Sequence, residues 1–118
     1  MMTIKELVDR WFEIWIIGDF ENLPLSDTFK HTSPYGTFQK NEYLKLIAAN
    51  KDKFLGNKFD FHDLIIASNK ACVRYTVSKD DFSMEVTEWH YAKDGLLDEI
   101  IAYYNIEGEI NTERQLNQ

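Results

Sequence analysis

A single α+β domain, with helices laid against one face of a strongly curved antiparallel sheet, is the fold class this sequence predicts. Three observations carry it. Apolar residues recur at helical spacing only in the first half of the chain, up to Phe54. From Lys58 onward, alternating runs succeed one another with turn signals between them. The last two runs, Phe82 to Ala92 and Leu96 to Ile106, are joined by Lys93-Asp94-Gly95. Asp-Gly between alternating runs is the strongest short-range hairpin signal, because glycine takes a positive φ without steric cost. Helices first and strands in succession afterwards is the α+β pattern.

The first helix runs from Thr3 to Ile17. Thr3 and Glu6 have the spacing of a capping box, and Ile4, Leu7, Val8, Trp11, Ile14 and Trp15 form the inward stripe. Phe12 and Ile16 widen that stripe, so the helix is expected to be covered on more than one side. Gly18 is placed to stop it as a left-handed cap. Asp19 to Leu25 reads as a short turn or helix halted near Pro24. Thr28 to Ser33 alternates as a first strand, Pro34-Tyr35-Gly36 breaks it, and Thr37-Phe38 continues as a short partner. Lys40 to Phe54 reads as one helix with Tyr43, Leu44, Ile47 and Ala48 on one side, and Gly56 as its stop. Lys58 to Ser68 and Ala71 to Lys79 precede the closing hairpin. Residues 1–107 make one domain, and the polar stretch Gly108 to Gln118 is a tail expected to be weakly ordered.

Loop length decides which hairpin side chains share a face. A two-residue loop sets His90 opposite Glu99, whereas a Lys93-Asp94-Gly95 loop with a bulge sets it opposite Asp98. A slip of one residue moves every side chain to the other face. The three-residue loop segregates polarity better. It puts Val86, Glu88 and His90 on one face with Leu96, Asp98, Ile100, Ala102 and Tyr104. Trp89 and Tyr91 then share the other face with Leu97, Glu99, Ile101 and Tyr103.

Composition excludes several classes. With 118 residues, 44% hydrophobic and 14% aromatic, the chain can bury a real core and is not disordered. A net charge of −7 argues against nucleic acid and anionic membrane as partners, which need basic patches. One cysteine, Cys72, permits no disulfide within a chain and fits a reducing compartment. The first residues lack a basic segment followed by an apolar core, so no signal peptide is expected. The longest apolar run, Ile14 to Ile17, is far too short for a bilayer span. The natural setting is cytoplasmic.

Gly18-Asp19-Phe20 after the first helix, Ser33-Pro34-Tyr35-Gly36 in the first strand and the closing Trp89-His90-Tyr91-Ala92-Lys93-Asp94-Gly95 occur in an order that resembles the nuclear transport factor 2-like superfamily. Within it, the likeness is to the SnoaL-like group that includes ketosteroid isomerase, and it spans about residues 4–107. The resemblance implies a cone-like curved antiparallel sheet with N-terminal helices packed on its concave face. It also implies a pocket between the first helix and the sheet, lined by Trp11, Trp15, Phe29, His31, Ser33, Tyr75, Val77, Val86, Glu88, His90, Ile100 and Tyr104. Many members are homodimers through the outer face, which here carries Trp89, Tyr91, Ile101 and Tyr103.

Glu88 is the first candidate for chemistry. A carboxylate between Val86 and His90 on an apolar face is desolvated, which suits it to proton transfer. The bland alternative is a structural network with a tyrosine or tryptophan. His31 or His90 is placed to pair with Glu88, although either also reads as a satisfied strand histidine. His62 shares strand parity with Leu64 and Ile66 and reads as structural. No spacing asks for a metal or any other cofactor, and none is expected. Cys72 belongs with Arg74 and Thr76 on the outer face, with no basic partner to activate it.

Departures from ketosteroid isomerase limit what the resemblance implies. The position of the family's catalytic aspartate corresponds to Ser33, and that of its oxyanion tyrosine to Trp11. Only the protonated-acid position keeps its chemistry, as Glu88. Steroid isomerisation is therefore not expected, and any reaction is that of a cofactor-independent isomerase, cyclase or lyase working by proton transfer. Two readings stand. In one, the cone binds a small hydrophobic molecule through Trp11, Trp15, Phe29, Ser33, Tyr75, Val86, Ile100 and Tyr104, with Glu88, His31 and His90 as acid/base groups. In the other, the pocket is filled by its own aromatics and the outer face binds a protein or a second copy.

Overall fold

The computed structural model describes residues 1–105. Helix α1 (Ile4–Ile17) starts as its sequence demands. Thr3 Oγ1 accepts from the Glu6 amide at 3.2 Å, and the Glu6 carboxylate accepts from the Thr3 amide at 3.0 Å. It ends at Gly18, whose φ of 85° is open to glycine and whose N–H donates to the Ile14 carbonyl. Phe12 is buried as expected, but Ile16 is 54% exposed, so that flank of the helix is uncovered.

A short 3₁₀ turn (Phe20–Asn22) leads into β1 (Leu25–Ser33), then β2 (Gly36–Gln39) and α2 (Lys40–Ala49). The single helix expected up to Phe54 is in fact two, because α3 (Lys51–Phe54) is separate. Asn50 causes the break. Its backbone sits at φ −112°, ψ 17°, and its side-chain amide donates to the Leu46 carbonyl, competing with the helix ladder.

Strands β3 (Lys58–Ile66), β4 (Lys70–Lys79), β5 (Phe82–Lys93) and β6 (Leu96–Asn105) complete one six-stranded sheet in the order β2-β1-β6-β5-β4-β3. The expectation of an all-antiparallel sheet needs correction, since β1 joins β6 in parallel and the sheet is mixed. Every other adjacent pair is antiparallel. Helices α1 and α2 cover one face, and the core lies between: Leu7, Ile14, Phe29, Leu97 and Ile100 are fully buried. No helix among the described residues is long and apolar enough to cross a membrane. The expected weakly ordered tail from Gly108 lies outside the described residues.

The hairpin turn also needs correction. Its loop has two residues, Asp94 (φ 53°) and Gly95 (φ 77°), and Lys93 pairs with Leu96. This is the primed turn that Asp-Gly favours. A bulge follows immediately: Ala92 pairs with Leu97, Tyr91 with Glu99, and Asp98 has no partner across the ladder. Beyond the bulge His90 lies opposite Ile100, neither Asp98 nor Glu99. The extra residue restores the parity that the three-residue loop would have given, so Glu88 and His90 face inward with Ile100, Ala102 and Tyr104. Between turn and bulge the parity is reversed. Leu97, expected outside, is fully buried, and Leu96, expected inside, is 39% exposed. The bulge turns the Asp98 carboxylate toward β1, where it accepts from Ser26 at 2.7 Å and also from Thr28.

A second irregularity lies between Phe61 and Asp63 on β3. It places His62 on the outer face, where Nε2 meets the Thr76 hydroxyl at 2.7 Å, rather than on the parity of Leu64. Cys72 lies on the outer face beside Arg74 and Thr76, as its parity requires.

Candidate functional site

Three inward-facing residues make a buried polar knot on β4 and β5. Register sets Val73 beside Glu88 and Tyr75 beside Val86, and the Tyr75 ring leans along the sheet to reach the carboxylate. Its hydroxyl donates to Glu88 Oε2 at 2.7 Å. His90 Nε2 lies 3.0 Å from Glu88 Oε1. Glu88 is 5% exposed and His90 not at all. The hydrogen-bond network assigns the His90 proton. Nδ1 is buried with no partner among the described residues, and the imidazole packs against the rings of Trp11 (centroids 5.7 Å apart, edge-on) and Phe12 (5.9 Å). A proton there would be a buried donor with nothing to receive it, which costs more than an idle lone pair. The proton therefore sits on Nε2 and is donated to Glu88, which accepts from two donors as a carboxylate.

Neighbouring groups are tuned by the same burial. His31 is pushed down to about 4, mainly by burial; the nearby Glu88 opposes this and His90 adds to it. His31 is neutral at pH 7, stacked on Tyr43 at 4.5 Å and on Trp11 at 6.4 Å. Burial raises the Tyr75 phenol well above its ordinary range, and the Glu88 charge raises it further, so it remains a donor. Tyr104 is raised for the same two reasons, in the same order.

Above this knot, between α1 and the sheet, lies a cavity of about 130 Å³. Of the residues expected to form the site, Trp11, Trp15, His31, Ser33, Tyr75, Val77, Val86, Glu88 and Tyr104 border it. Three do not. Phe29 and Ile100 are fully buried behind the lining: Phe29 packs between Trp11 and Tyr43, and Ile100 is held between His31 and His90 by strand pairing. His90 touches the cavity only through Glu88. The three candidate acid/base residues are thus near one another but unequal, with Glu88 and His31 at the wall and His90 behind it.

Reading the sequence missed part of the wall. Tyr43 from α2 covers His31, and Phe54, Asn57 and Phe59 from the α3–β3 segment complete the lining. The inward stripe of α2 was a signal for Tyr43. Asn57 lies in a connection and carries no periodic signal. Ser33 Oγ accepts from the Tyr35 amide at 3.1 Å. Among the described residues no group of His, Cys, Asp or Glu side chains is arranged to hold a metal ion.

No family model matches this chain, and no curated protein matches it in sequence. Solved structures do match in shape. A nuclear transport factor 2-like protein of unknown function from Cytophaga hutchinsonii superposes with a TM-score of 0.75 at 16% identity, covering 89% of this chain and 92% of that one. A ketosteroid isomerase candidate from Kribbella flavida gives 0.72 at 15% identity, over 92% of this chain and 82% of the other. A polyketide cyclase candidate from Bacillus cereus gives 0.70 at 23% identity, over 85% and 72% respectively. Identities this low establish architecture alone: the chain has the nuclear transport factor 2-like α+β fold.

Proposed function

We propose that the protein binds a small, flat, largely apolar molecule in this cavity and that Glu88 accepts a proton from it. The observation that carries the reading is a 5%-exposed carboxylate on a cavity walled mostly by aromatic and aliphatic side chains. Such a group favours a ligand that brings a donor to it, a phenol or an enolisable carbonyl compound. Size narrows the class. A cavity of about 130 Å³ is close to the roughly 150 Å³ that holds benzene, so one substituted ring fits and a fused steroid does not.

The chemistry follows from the hydrogen bonds. Tyr75 and His90 hold both carboxylate oxygens in place while leaving lone pairs toward the cavity. A proton leaving ligand carbon or oxygen passes to Glu88, and the electron pair stays on the ligand as an enolate or phenolate. Return of that proton to a different atom is isomerisation, or ring closure if the enolate attacks elsewhere in the ligand. No cofactor enters these steps. Fold neighbours named as isomerase and cyclase candidates favour this class.

The test is thermal unfolding of wild type and Glu88→Gln with phenols, cyclohexenones and a steroid. Small ring compounds should raise the wild-type midpoint and leave the variant's unmoved, while the steroid moves neither. If no small ring compound shifts the wild type, the reading fails.

The outer sheet face supports a second proposal, that two copies associate there. Trp89 stacks on Tyr91 at 6.4 Å, and Tyr103 beside them is 59% exposed, an aromatic surface that no other described residue covers. Light scattering should then give twice the chain mass, and Tyr103→Lys should halve it.

A further inference from the structure

Besides His90 Nδ1, two buried polar side-chain atoms have no partner among the described residues. They are the indole nitrogen Nε1 of Trp15 and the side-chain oxygen Oδ1 of Asn57. Both residues line the cavity. Buried polar groups are almost always paired, and each exception asks for a reason. One is a donor and the other an acceptor, and they come from independent parts of the chain.

Their place is fixed by packing. Trp15 lies one helical turn beyond Trp11 and packs against Phe54 at 5.0 Å, three residues before Asn57. Asn57 precedes Lys58, which pairs with Ser78, and the next rung of the sheet is Lys79 with Phe82. Trp15 packs on Trp11 at 5.9 Å and Trp11 on His90 at 5.7 Å, so the pair stands two ring contacts away from the Glu88–His90 hydrogen bond. The cavity therefore has two polar ends with an apolar middle made by Val86 and Met84.

We propose that Trp15 Nε1 and Asn57 Oδ1 form a second polar station, which receives a neutral carboxamide on the end of the ligand remote from Glu88. The amide oxygen accepts from the indole N–H, and the amide nitrogen donates to Asn57. Lys53 lines the same end and would attract a carboxylate. An anion, however, would face the Asn57 oxygen and leave it still unpaired, so the neutral group fits better. This rests on the cavity being a ligand site, as proposed above.

The experiment measures dissociation constants by calorimetry for four probes. These are para-propylphenol, para-hydroxyphenyl-propanamide, its one-carbon-longer amide homologue, and para-hydroxyphenyl-propanoate. On wild type at least one amide should bind about tenfold more tightly than para-propylphenol, the gain of one or two well-placed buried hydrogen bonds. Trp15→Phe keeps the aromatic packing and Asn57→Ala touches an irregular connection, so both should fold. Each should bring that gain, read as the ratio of amide to para-propylphenol affinity on the same variant, to less than about threefold. If para-propylphenol binds wild type but neither amide improves on it, the second station is refuted while the ligand site stands. If the propanoate binds best, the station is an anion site and the carboxamide proposal falls. If no probe binds, both this inference and the ligand reading fail.

Discussion

The two ends of the cavity are built from similar side chains and differ in how their polar atoms are served. At the inner end, the Tyr75 hydroxyl and the His90 imidazole both turn to Glu88, and the protein answers its own polar groups. At the outer end, Trp15 and Asn57 carry polar atoms that nothing among the described residues answers. A side chain of the first kind belongs to the folding equilibrium, because its loss leaves partners stranded. One of the second kind can be lost with little effect on folding, and its value appears only when something binds.

Substitution separates the two ends. Glu88→Ala should have the largest effect, about 4 kcal/mol in urea unfolding, since two buried donors lose their acceptor and a cavity opens. Acid gives the next largest effect. His31 titrates at 6.5 in ordinary surroundings and at about 4 in the fold. Between those values the unfolded chain binds a proton that the folded chain refuses, so stability falls as pH drops through that window. About 3 kcal/mol should disappear, and wild type minus His31→Phe isolates it from the carboxylates. Tyr75→Phe should cost about 1–2 kcal/mol, because Glu88 keeps His90 as a partner. Trp15→Phe and Asn57→Ala should each change stability by about 1 kcal/mol or less. A large loss in either outer variant, or none in Glu88→Ala, would erase the distinction between the ends.

How much of this was legible in the sequence depended on whether a residue sat in a periodic element. Helix α1, its Thr3 cap and its Gly18 stop follow from local chemistry and were readable directly. The inward direction of Glu88 and His90 was readable too, although the loop length chosen to obtain it was not the one adopted. An unseen bulge added the residue that the shorter loop lacked, and two departures cancelled in parity. They did not cancel for Leu96 and Leu97, which lie before the bulge. The parallel union of β1 with β6 was not legible, since the hairpin signals that mark antiparallel neighbours say nothing of strands far apart in sequence. Asn57 was illegible for a similar reason: it lies in a connection, and only packing brings it to the cavity.

The Asp98 bulge also bears on how this chain can change over generations. Elsewhere in β5 or β6, losing one codon turns the rest of the strand over and sends its core residues to solvent. At Asp98 the ladder with β5 already passes over a residue, so its deletion would close the run from Leu97 to Glu99 with every later β5–β6 pair intact. The tie to Ser26 and Thr28 would be lost. Length differences within this strand among descendants of the same ancestor should therefore gather at that one position, and inward carboxylates such as Glu88 should be left undisturbed by them.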